Sequence, residues 1–291
     1  MRSLYNLSDL GLDEIFRILD EAEAFKNGAV YEGAKGKLVA NLFFEPSTRT
    51  HYSFEAAQHR LGCCVMSFAP ESSSLKKGES FYDTVRTMES FGTDALVIRA
   101  TQNEYYKELE PIKIPILNAG DGTGNHPTQS LLDLLTIRQE FGRFEGLKIA
   151  IAGDIKHSRV AHTNIGIMER LGMDVYVSGP EMYAEEGHKF VNIDDAAKDM
   201  DVIMLLRVQH ERHKEGAKAL TAEEYNTGYG LNANRVAKMK EKAIIMHPAP
   251  FNRGVELTDD VVECEKSRIF KQVTNGVYVR MAVLKRAFGG F

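Results

Sequence analysis

The chain has 291 residues, of which 43% are hydrophobic and 26% charged, a composition typical of a globular protein that buries its own core. Its net charge of -5 argues against a protein that binds nucleic acid by neutralising many phosphates. No apolar run approaches the ~18 residues of a membrane-spanning helix, there is no cleavable signal pattern, and the three cysteines form no CxxC pair, so we predict a reduced, cytoplasmic protein.

Apolar runs alternate with amphipathic stretches along the chain, which predicts an α/β fold. Apolar residues from Ile15 to Phe25 recur at helical spacing ahead of Gly28 and predict the first helix, and two more are predicted at 50–61 and 128–141. Other apolar runs are too short for helices and too continuous for strands with one solvent-exposed face, so they predict buried parallel strands. These runs are 38–44, 95–98, 114–117, 149–152, 202–206 and 243–246.

The predicted strands fall into two sets, which are joined by the helix at 128–141 and a turn at 142–146. We therefore predict two lobes, each a parallel sheet flanked by helices, with the active site in the cleft between them. A last helix is predicted to begin just after Asn275 and Gly276. Its apolar face would consist of Val277, Met281, Leu284 and Phe288. The residues alone do not say on which lobe this helix packs.

A polar cluster follows each predicted strand. The clusters are PSTRT from 46, Arg99, NAGDGTGNHPTQ from 118, GDIKHSR from 153, RVQHER from 207 and HPAP from 247. Because ligands of an open parallel sheet bind beyond the carboxyl ends of its strands, the clusters predict a single site. Their cationic side chains, with His126 beside them, indicate that the site holds anions. These cations are Arg49, Arg99, Lys156, Arg159, Arg207 and Arg212.

The stretch from Ser47 to Thr50 lies where a predicted strand turns into a helix. Its three hydroxyls, its arginine and the backbone N–H groups at the positive end of a helix suit a phosphate group. Ser47 by itself has a second explanation, as the side-chain cap of that helix. Nucleotide, nucleophile-elbow and zinc-protease motifs are absent, and HERH at 210–213 lacks a third metal ligand. We therefore predict a small phosphorylated metabolite as ligand, with no cofactor and no metal.

The ordered motifs STRT, VIR, GDGTGNHPTQSLLDL, GDIKHSRVA, LLRVQHER and HPAP resemble the aspartate/ornithine carbamoyltransferase family, most closely its aspartate carbamoyltransferase catalytic chains. The resemblance runs from about residue 1 to 291. It implies transfer of the carbamoyl group of carbamoyl phosphate to L-aspartate, giving N-carbamoyl-L-aspartate and phosphate, in pyrimidine biosynthesis. It implies a homotrimer with active sites shared between subunits, and regulatory or dihydroorotase chains as candidate partners. It assigns 1–134 and the helix 275–291 to a carbamoyl-phosphate-binding domain and 144–273 to an aspartate-binding domain.

The resemblance also assigns site residues, position by position. Carbamoyl phosphate would contact Ser47, Thr48, Arg49, Thr50, Arg99, His126, Gln129, Ala249 and Pro250, the last two through main-chain carbonyls that accept from its NH2 group. The catalytic residues would be Arg49, Thr50, Arg99 and His126. Aspartate would be held by Lys77, Arg159, Arg207 and Gln209, with Lys77 entering from a neighbouring subunit. Because guanidinium groups surround His126, we expect it to be neutral and to donate a hydrogen bond to the oxyanion.

The chain departs from the family pattern in two places. HPAP carries Ala249 where many members have leucine, a mild change if only the main-chain carbonyl is used. In SSSLKKGE, Ser73 and Ser74 compete for one role and Lys76 and Lys77 for another, and Lys77 is favoured because it directly precedes GE.

Three other functions are alternatives for this sequence. An ornithine or other amino-acid carbamoyltransferase would share the first substrate, but the ornithine enzymes carry an HCLP-type cysteine where this chain has HPAP. A two-lobed anion-binding protein without catalysis would also need a cationic cleft. The missing signal peptide argues against a nutrient receptor of that kind. A kinase is disfavoured by the missing nucleotide motif.

Overall fold

The computed structural model describes residues 2–208 and 220–291. The Cα positions separate the chain into two compact units. Unit 1 comprises Met1–Leu135 and Val273–Phe291, and unit 2 comprises Thr136–Gln272. Unit 1 is therefore discontinuous in sequence, and both changes of unit fall inside a helix. Within the part of the chain that the structure describes, no helix combines the length and the hydropathy needed to cross a membrane.

Unit 1 contains a parallel sheet covered by helices. In chain order its elements are α1 (Leu12–Lys26), β1 (Leu38–Phe43), α2 (Thr48–Arg60), β2 (Cys64–Phe68), α3 (Phe81–Ser90), β3 (Ala95–Ala100), β4 (Ile116–Asp121) and the first part of α4 (Pro127–Phe141). Short 3-10 helices lie at Leu7–Asp9, Glu32–Ala34, Pro70–Ser72, Ser74–Lys77 and Tyr105–Leu109. Among the described residues the strand order is β2-β1-β3-β4, with every pair parallel.

Unit 2 contains a second parallel sheet. Its elements are β5 (Lys148–Ala152), α5 (Arg159–Arg170), β6 (Asp174–Ser178), β7 (Lys189–Phe190), α6 (Ile193–Asp199), β8 (Val202–Leu205), α7 (Ala222–Tyr229), α8 (Ala233–Val236), β9 (Ile244–Met246), α9 (Asp259–Val262) and the start of α10 (Ile269–Ala287). In residues 136–208 and 220–272 the strand order is β7-β6-β5-β8-β9. All these pairs are parallel. The predicted class, two parallel sheets flanked by helices, is confirmed.

Four strands inside the two sheets are buried along nearly their whole length, as the continuous apolar runs predicted. β1, β3, β5 and β8 coincide with predicted strands and carry buried side chains throughout their interiors. The predicted strand at 114–117 is wrong in its bounds, since β4 runs from Ile116 to Asp121 and continues into the polar cluster. Asn118 is tolerated there because its side-chain amide donates to the Tyr5 carbonyl at 2.9 Å and its oxygen accepts from the Gly120 N–H at 2.9 Å.

The last helix begins at Ile269, so the prediction that it starts after Gly276 is wrong. Gly276 lies inside α10, where an added Cβ would be 2.6 Å from Arg280 Nη1 and 3.2 Å from Leu132 Cδ2. The glycine is therefore a close-packing position of the helix and not its start signal. Met281 and Leu284 are buried as predicted, whereas Phe288 lies beyond the helix end.

The end of α10 joins the beginning of the chain in unit 1. The buried Arg286 guanidinium donates to Glu14 Oε1 at 2.8 Å, to the Ser3 carbonyl at 2.9 Å and to the Arg2 carbonyl at 3.2 Å. Just beyond Ser3, the Leu4 N–H donates to the Ile116 carbonyl at 2.9 Å. The two ends of the sequence thus hold each other in place beside β4.

Arg235 is a cation of unit 2 that ties α6 to the end of α7. It is only 7% exposed. Its Nε and Nη2 donate to the two oxygens of Asp194 at 3.1 and 3.0 Å. Its remaining donors reach the carbonyls of Asn226, Thr227 and Gly230 at 3.0, 2.8 and 2.7 Å. One guanidinium therefore satisfies three main-chain carbonyls and one carboxylate.

Replacing Arg235 with alanine is expected to lower the free energy of unfolding of unit 2 by about 2–4 kcal/mol, because several acceptors lose their donor together. The matched control is Arg253→Ala, which removes an exposed arginine whose ion pair with Asp259 is solvated and should change stability by less than about 1 kcal/mol. Urea unfolding followed by circular dichroism measures both. Equal losses in the two variants would contradict the role given to Arg235.

Candidate active site

The STRT segment connects the end of β1 to the start of α2. Ser47 occupies the N-cap position in extended conformation, but its side chain makes no capping hydrogen bond. The Ser47 hydroxyl is therefore not the side-chain cap of α2, which was the second explanation for this residue. Thr48 and Arg49 are exposed in the first helical turn, while Thr50 is buried. First-turn N–H groups have no acceptor within their own helix, so this end of α2 is suited to an anion.

His126 lies just before α4 and faces the first turn of α2. The side chain is 4% exposed, and its Nε2 is 3.3 Å from Thr50 Oγ1. The His126 carbonyl accepts from the N–H groups of Gln129 and Ser130 at 3.0 and 3.3 Å. Pro127 follows at the first helical position, where its missing N–H costs nothing. The structure thus brings the predicted residues Thr50 and His126 into contact.

The turn before His126 is shaped by the buried carboxylate of Asp121. That carboxylate accepts from the N–H groups of Glu104 at 2.8 Å and Asn125 at 2.5 Å. Burial raises the pKa of Asp121, and these two hydrogen bonds oppose the increase. A Cβ on Gly124 would lie 3.0 Å from an Asp121 oxygen, so a larger residue there would require the carboxylate to shift. The GDGTGN segment therefore forms the turn that leads into His126.

Arg99 and Gln129 lie on the neighbouring elements β3 and α4. Arg99 Nε is 2.6 Å from Glu45 Oε1, an ion pair that fixes the guanidinium at the end of β3. Gln129 is buried, and its Nε2 donates to Asp133 Oδ1 at 3.0 Å. This bond leaves the Gln129 side-chain oxygen as the acceptor of the amide. Asp133 was not among the predicted residues, although its i,i+4 spacing from Gln129 on a predicted helix was a usable signal.

Arg280 is an arginine of α10 that is only 2% exposed. Its guanidinium carbon is 5.0 Å from the centre of the Phe54 ring on α2, and it donates to the Gly276 carbonyl at 3.0 Å. Burial lowers the pKa of Arg280 to about 9, and the Asp133 carboxylate opposes that decrease. A guanidinium with this pKa remains charged at neutral pH. Sequence reasoning missed this residue because an arginine in an apolar helix is more often exposed.

Lys77 lies at the end of the 3-10 helix Ser74–Lys77 in unit 1. Ser73 caps that helix, since its Oγ accepts from the Leu75 N–H at 3.3 Å and donates to the Pro70 carbonyl at 2.8 Å. Ser74, Lys76 and Lys77 are exposed. Ser73 therefore has two local partners, whereas Ser74 is exposed, and the two lysines do not differ in their exposure. No ion pair of either lysine is found within residues 2–208 and 220–291.

Unit 2 presents two of the predicted arginines after its strands. Arg159 begins α5 and is 9% exposed, directly after Ser158, whose Oγ caps the helix by accepting from the Ala161 N–H at 3.2 Å. Arg207 follows β8 by two residues and is half-buried. Gln209, which was also predicted to hold aspartate, lies outside the described residues. The same is true of Arg212 and of HERH at 210–213.

The HPAP segment follows β9 in a folded-back conformation. Ala249 has φ +52°, and the peptide bond between Ala249 and Pro250 is cis. The Ala249 N–H donates to Nδ1 of the buried His247 at 2.8 Å. The His247 N–H in turn donates to Gln272 Oε1 at 2.9 Å. The left-handed backbone of a residue other than glycine indicates a turn held by its surroundings, which is a common property of binding segments.

The predicted residues therefore divide between the two units. Unit 1 carries Ser47, Thr48, Arg49, Thr50, Lys77, Arg99, His126 and Gln129. Unit 2 carries Arg159, Arg207, Ala249 and Pro250. In the described ranges there is no group of three or more histidine, cysteine or acidic side chains able to hold a metal ion. Each unit thus offers cationic or main-chain groups for an anionic ligand.

Two domain families match the chain, and the second match runs past the end of unit 2 into residues 273–287 of unit 1. Residues 2–139 match the carbamoyl-P binding domain of aspartate/ornithine carbamoyltransferase, and residues 145–287 match its Asp/Orn binding domain. Both matches together cover most of the chain. The boundary between them lies close to the end of α4.

Solved structures of similar length share the fold. Aspartate transcarbamoylase from Trypanosoma cruzi in complex with carbamoyl phosphate is 33% identical, with a TM-score of 0.88 over 97% of this chain and 94% of that chain. The complex of that enzyme with carbamoyl phosphate and aspartate is 32% identical, with a TM-score of 0.86 over 97% and 95%. The catalytic subunit of M. jannaschii aspartate transcarbamoylase is 35% identical, with a TM-score of 0.87 over 100% and 99%. The chain therefore belongs to the aspartate/ornithine carbamoyltransferase family.

Proposed function

We propose that this chain is the catalytic chain of an aspartate carbamoyltransferase, which converts carbamoyl phosphate and L-aspartate into N-carbamoyl-L-aspartate and phosphate. The observation that carries the proposal is the contact of Thr50 with His126 at the N-terminal end of α2, beside the STRT hydroxyls. Similarity to aspartate transcarbamoylases over nearly the whole chain supports aspartate as the second substrate. We assign this activity to the cytoplasm and to pyrimidine biosynthesis.

In the proposed reaction the aspartate amine attacks the carbonyl carbon of carbamoyl phosphate. A C–N bond forms, a tetrahedral oxyanion develops, and the C–O bond to phosphate then breaks. Thr50, Arg99 and a neutral His126 donate to the oxyanion, and one such donor is typically worth ~10² to 10³ in rate. Arg49 and Arg99 neutralise the departing phosphate, which takes the proton from the amine. The bond from Gln129 to Asp133 leaves the Gln129 oxygen free to accept from the carbamoyl NH2 group.

The second substrate is assigned to unit 2, with one contribution from another chain. Arg159 and Arg207 offer planar forks that match the two carboxylates of aspartate, and Gln209 is proposed to assist them. The carbonyls of Ala249 and Pro250 accept from the carbamoyl NH2. Lys77 is proposed to reach the site of the neighbouring subunit in a homotrimer, which its exposed position permits. Unit 1 is then the carbamoyl-phosphate-binding domain and unit 2 the aspartate-binding domain.

The choice of second substrate is tested by offering carbamoyl phosphate together with aspartate or with ornithine. We expect carbamoyl aspartate and phosphate from the first mixture, and at least ~10²-fold slower turnover with ornithine, whose cationic side chain would face two guanidinium groups. Product and phosphate are measured in parallel. Faster turnover with ornithine would support an ornithine enzyme, and tight binding of carbamoyl phosphate with no turnover would support a non-catalytic binding protein. Light scattering of the purified protein tests the trimer.

A further inference from the structure

Glu256 is a carboxylate of unit 2 that none of the roles above uses. It is 1% exposed and lies between Val255 and Leu257, both of which are buried in apolar clusters. Its main-chain carbonyl accepts from the Leu231 N–H at 2.9 Å, and the Thr258 N–H donates to the Leu231 carbonyl at 3.0 Å. The backbone that carries this carboxylate is therefore fixed on both sides.

Three N–H groups donate to the Glu256 carboxylate. Oε1 accepts from the Val208 N–H at 2.7 Å and from Asn252 Nδ2 at 2.9 Å. Oε2 accepts from the Asn252 N–H at 2.7 Å. Asn252 Nδ2 also lies 3.4 Å from the Val208 carbonyl oxygen. Glu256 and Asn252 together therefore hold both main-chain polar groups of Val208.

The two segments held by Glu256 are those that carry predicted binding groups. Val208 directly follows Arg207, which is proposed to hold a carboxylate of aspartate. Asn252 follows Pro250 by two residues, and the carbonyls of Ala249 and Pro250 are proposed to accept from the carbamoyl NH2. The carboxylate thus joins the segment assigned to one substrate to the segment assigned to the other. Glu256 was not among the predicted residues, because an acidic residue between two apolar residues, as in GVEL, is more often exposed than buried.

We propose that Glu256 is a positioning residue, which fixes the Arg207 guanidinium relative to the Ala249 and Pro250 carbonyls so that the two substrates meet in a reactive geometry. The proposal rests on the function proposed above. A carboxylate suits this task because it only accepts hydrogen bonds, and all three groups that face it are donors. Glutamine of the same shape would turn an NH2 group toward at least one of those donors, and the two segments would separate.

The test compares Glu256→Gln with Glu263→Gln, which removes the same charge from an exposed residue of unit 2. In Glu256→Gln we expect the KM for aspartate to rise about tenfold or more and kcat to fall, since small displacements of binding groups cost large factors in rate. The inhibition constant of inorganic phosphate should stay within about twofold of wild type, because the residues proposed to bind phosphate lie in unit 1. Glu263→Gln should match wild type in all three values. An unchanged KM for aspartate in Glu256→Gln, or an equal loss of phosphate binding, would overturn the proposal.

Amide hydrogen exchange provides a readout that does not depend on turnover. Peptides covering residues 200–208 and 247–256 should exchange faster in Glu256→Gln than in wild type, while peptides of unit 1 should not change. Unaltered exchange in both peptides would overturn the proposal even if kinetics change. If the wild-type chain makes no carbamoyl aspartate, the proposed function fails, whereas the exchange result still decides whether Glu256 holds the two segments.

A second variant covers the case in which Glu256→Gln does not fold. Asn252→Ala removes one hydrogen bond to Glu256 and the contact with the Val208 carbonyl, but leaves the carboxylate with both main-chain donors. We expect the KM for aspartate to rise about threefold, less than in Glu256→Gln, because the carboxylate keeps two of its three donors. A KM for aspartate equal to that of wild type in a folded Asn252→Ala would then overturn the proposal.

Discussion

Replacing Arg49 with alanine is expected to reduce turnover by about 10³-fold, because phosphate bound at the proposed site would lose both a full charge and a bidentate donor. The side chain is exposed in the first turn of α2, so its removal leaves no cavity and should leave the fold intact. The inhibition constant of inorganic phosphate should rise together with the KM for carbamoyl phosphate. Steady-state kinetics and circular dichroism of the same preparations provide these measurements.

Two control variants separate the role of Arg49 from a general loss of charge. Arg60→Ala removes another arginine of α2, from its last turn. Turnover should stay within about twofold of wild type, because that end of the helix is far from the residues proposed to bind phosphate. Arg49→Lys keeps the charge but not the planar fork, so it should recover only part of the lost rate. Near-normal turnover in Arg49→Ala would remove the STRT segment from the site.

Mixing two inactive variants is expected to restore activity if active sites are shared between subunits. Trimers are reassembled from equal amounts of Lys77→Ala and Arg49→Ala chains. A site is intact when Arg49 comes from a Lys77→Ala chain and Lys77 comes from a neighbouring Arg49→Ala chain. Random assembly of a heterologous ring gives about a quarter of the sites this composition. The recovered rate should therefore approach about a quarter of the wild-type rate, measured after subunit exchange in mild denaturant.

The chain offers matched controls for this experiment. Arg49→Ala mixed with Arg99→Ala should recover nothing, because both arginines belong to unit 1 of the same chain and no mixed site holds both. Lys76→Ala should remain active by itself if Lys77 is the lysine used. If the Lys77→Ala mixture stays inactive while the trimers demonstrably exchange subunits, Lys77 does not act across the interface. An inactive Lys76→Ala would transfer the role to Lys76.

Burial on both faces explains which strands could be predicted from sequence. β1, β3, β5 and β8 lie inside their sheets, and the edge strand β9 is buried throughout, so their sequences are continuous apolar runs that are easily recognised. The edge strand β2 was missed because its residues are only half-buried and include Ser67. β6 was missed because DVYVS alternates polar and apolar residues, and β7 is only two residues long. Helical periodicity likewise found α1, α2 and α4 but could not show that α10 continues through Asn275 and Gly276.

Sequence motifs identified polar side chains at strand ends as candidate site residues. They did not identify backbone conformations or the buried residues that support the site. Motifs at strand ends identified Thr50 and His126, which the structure places in contact. The left-handed conformation of Ala249 leaves no signature in a four-letter motif, since it depends on His247 and the surrounding turn. Asp133 lies four residues from Gln129 on a predicted helix and could have been found from that spacing, whereas Glu256 was missed because its partners are main-chain groups from distant segments. Periodicity and motif spacing carry no information on such tertiary hydrogen bonds.

The contact of Arg286 with Glu14 and Ser3 has a consequence for synthesis on the ribosome. Residues 136–272 leave the exit tunnel as one uninterrupted stretch and are free to fold as soon as they emerge. The first 135 residues, although translated earlier, must wait for the final helix before their core is complete. We therefore expect the half of the enzyme that is made first to mature last, and a nascent chain that stops short of α10 to expose apolar surface to chaperones and proteases.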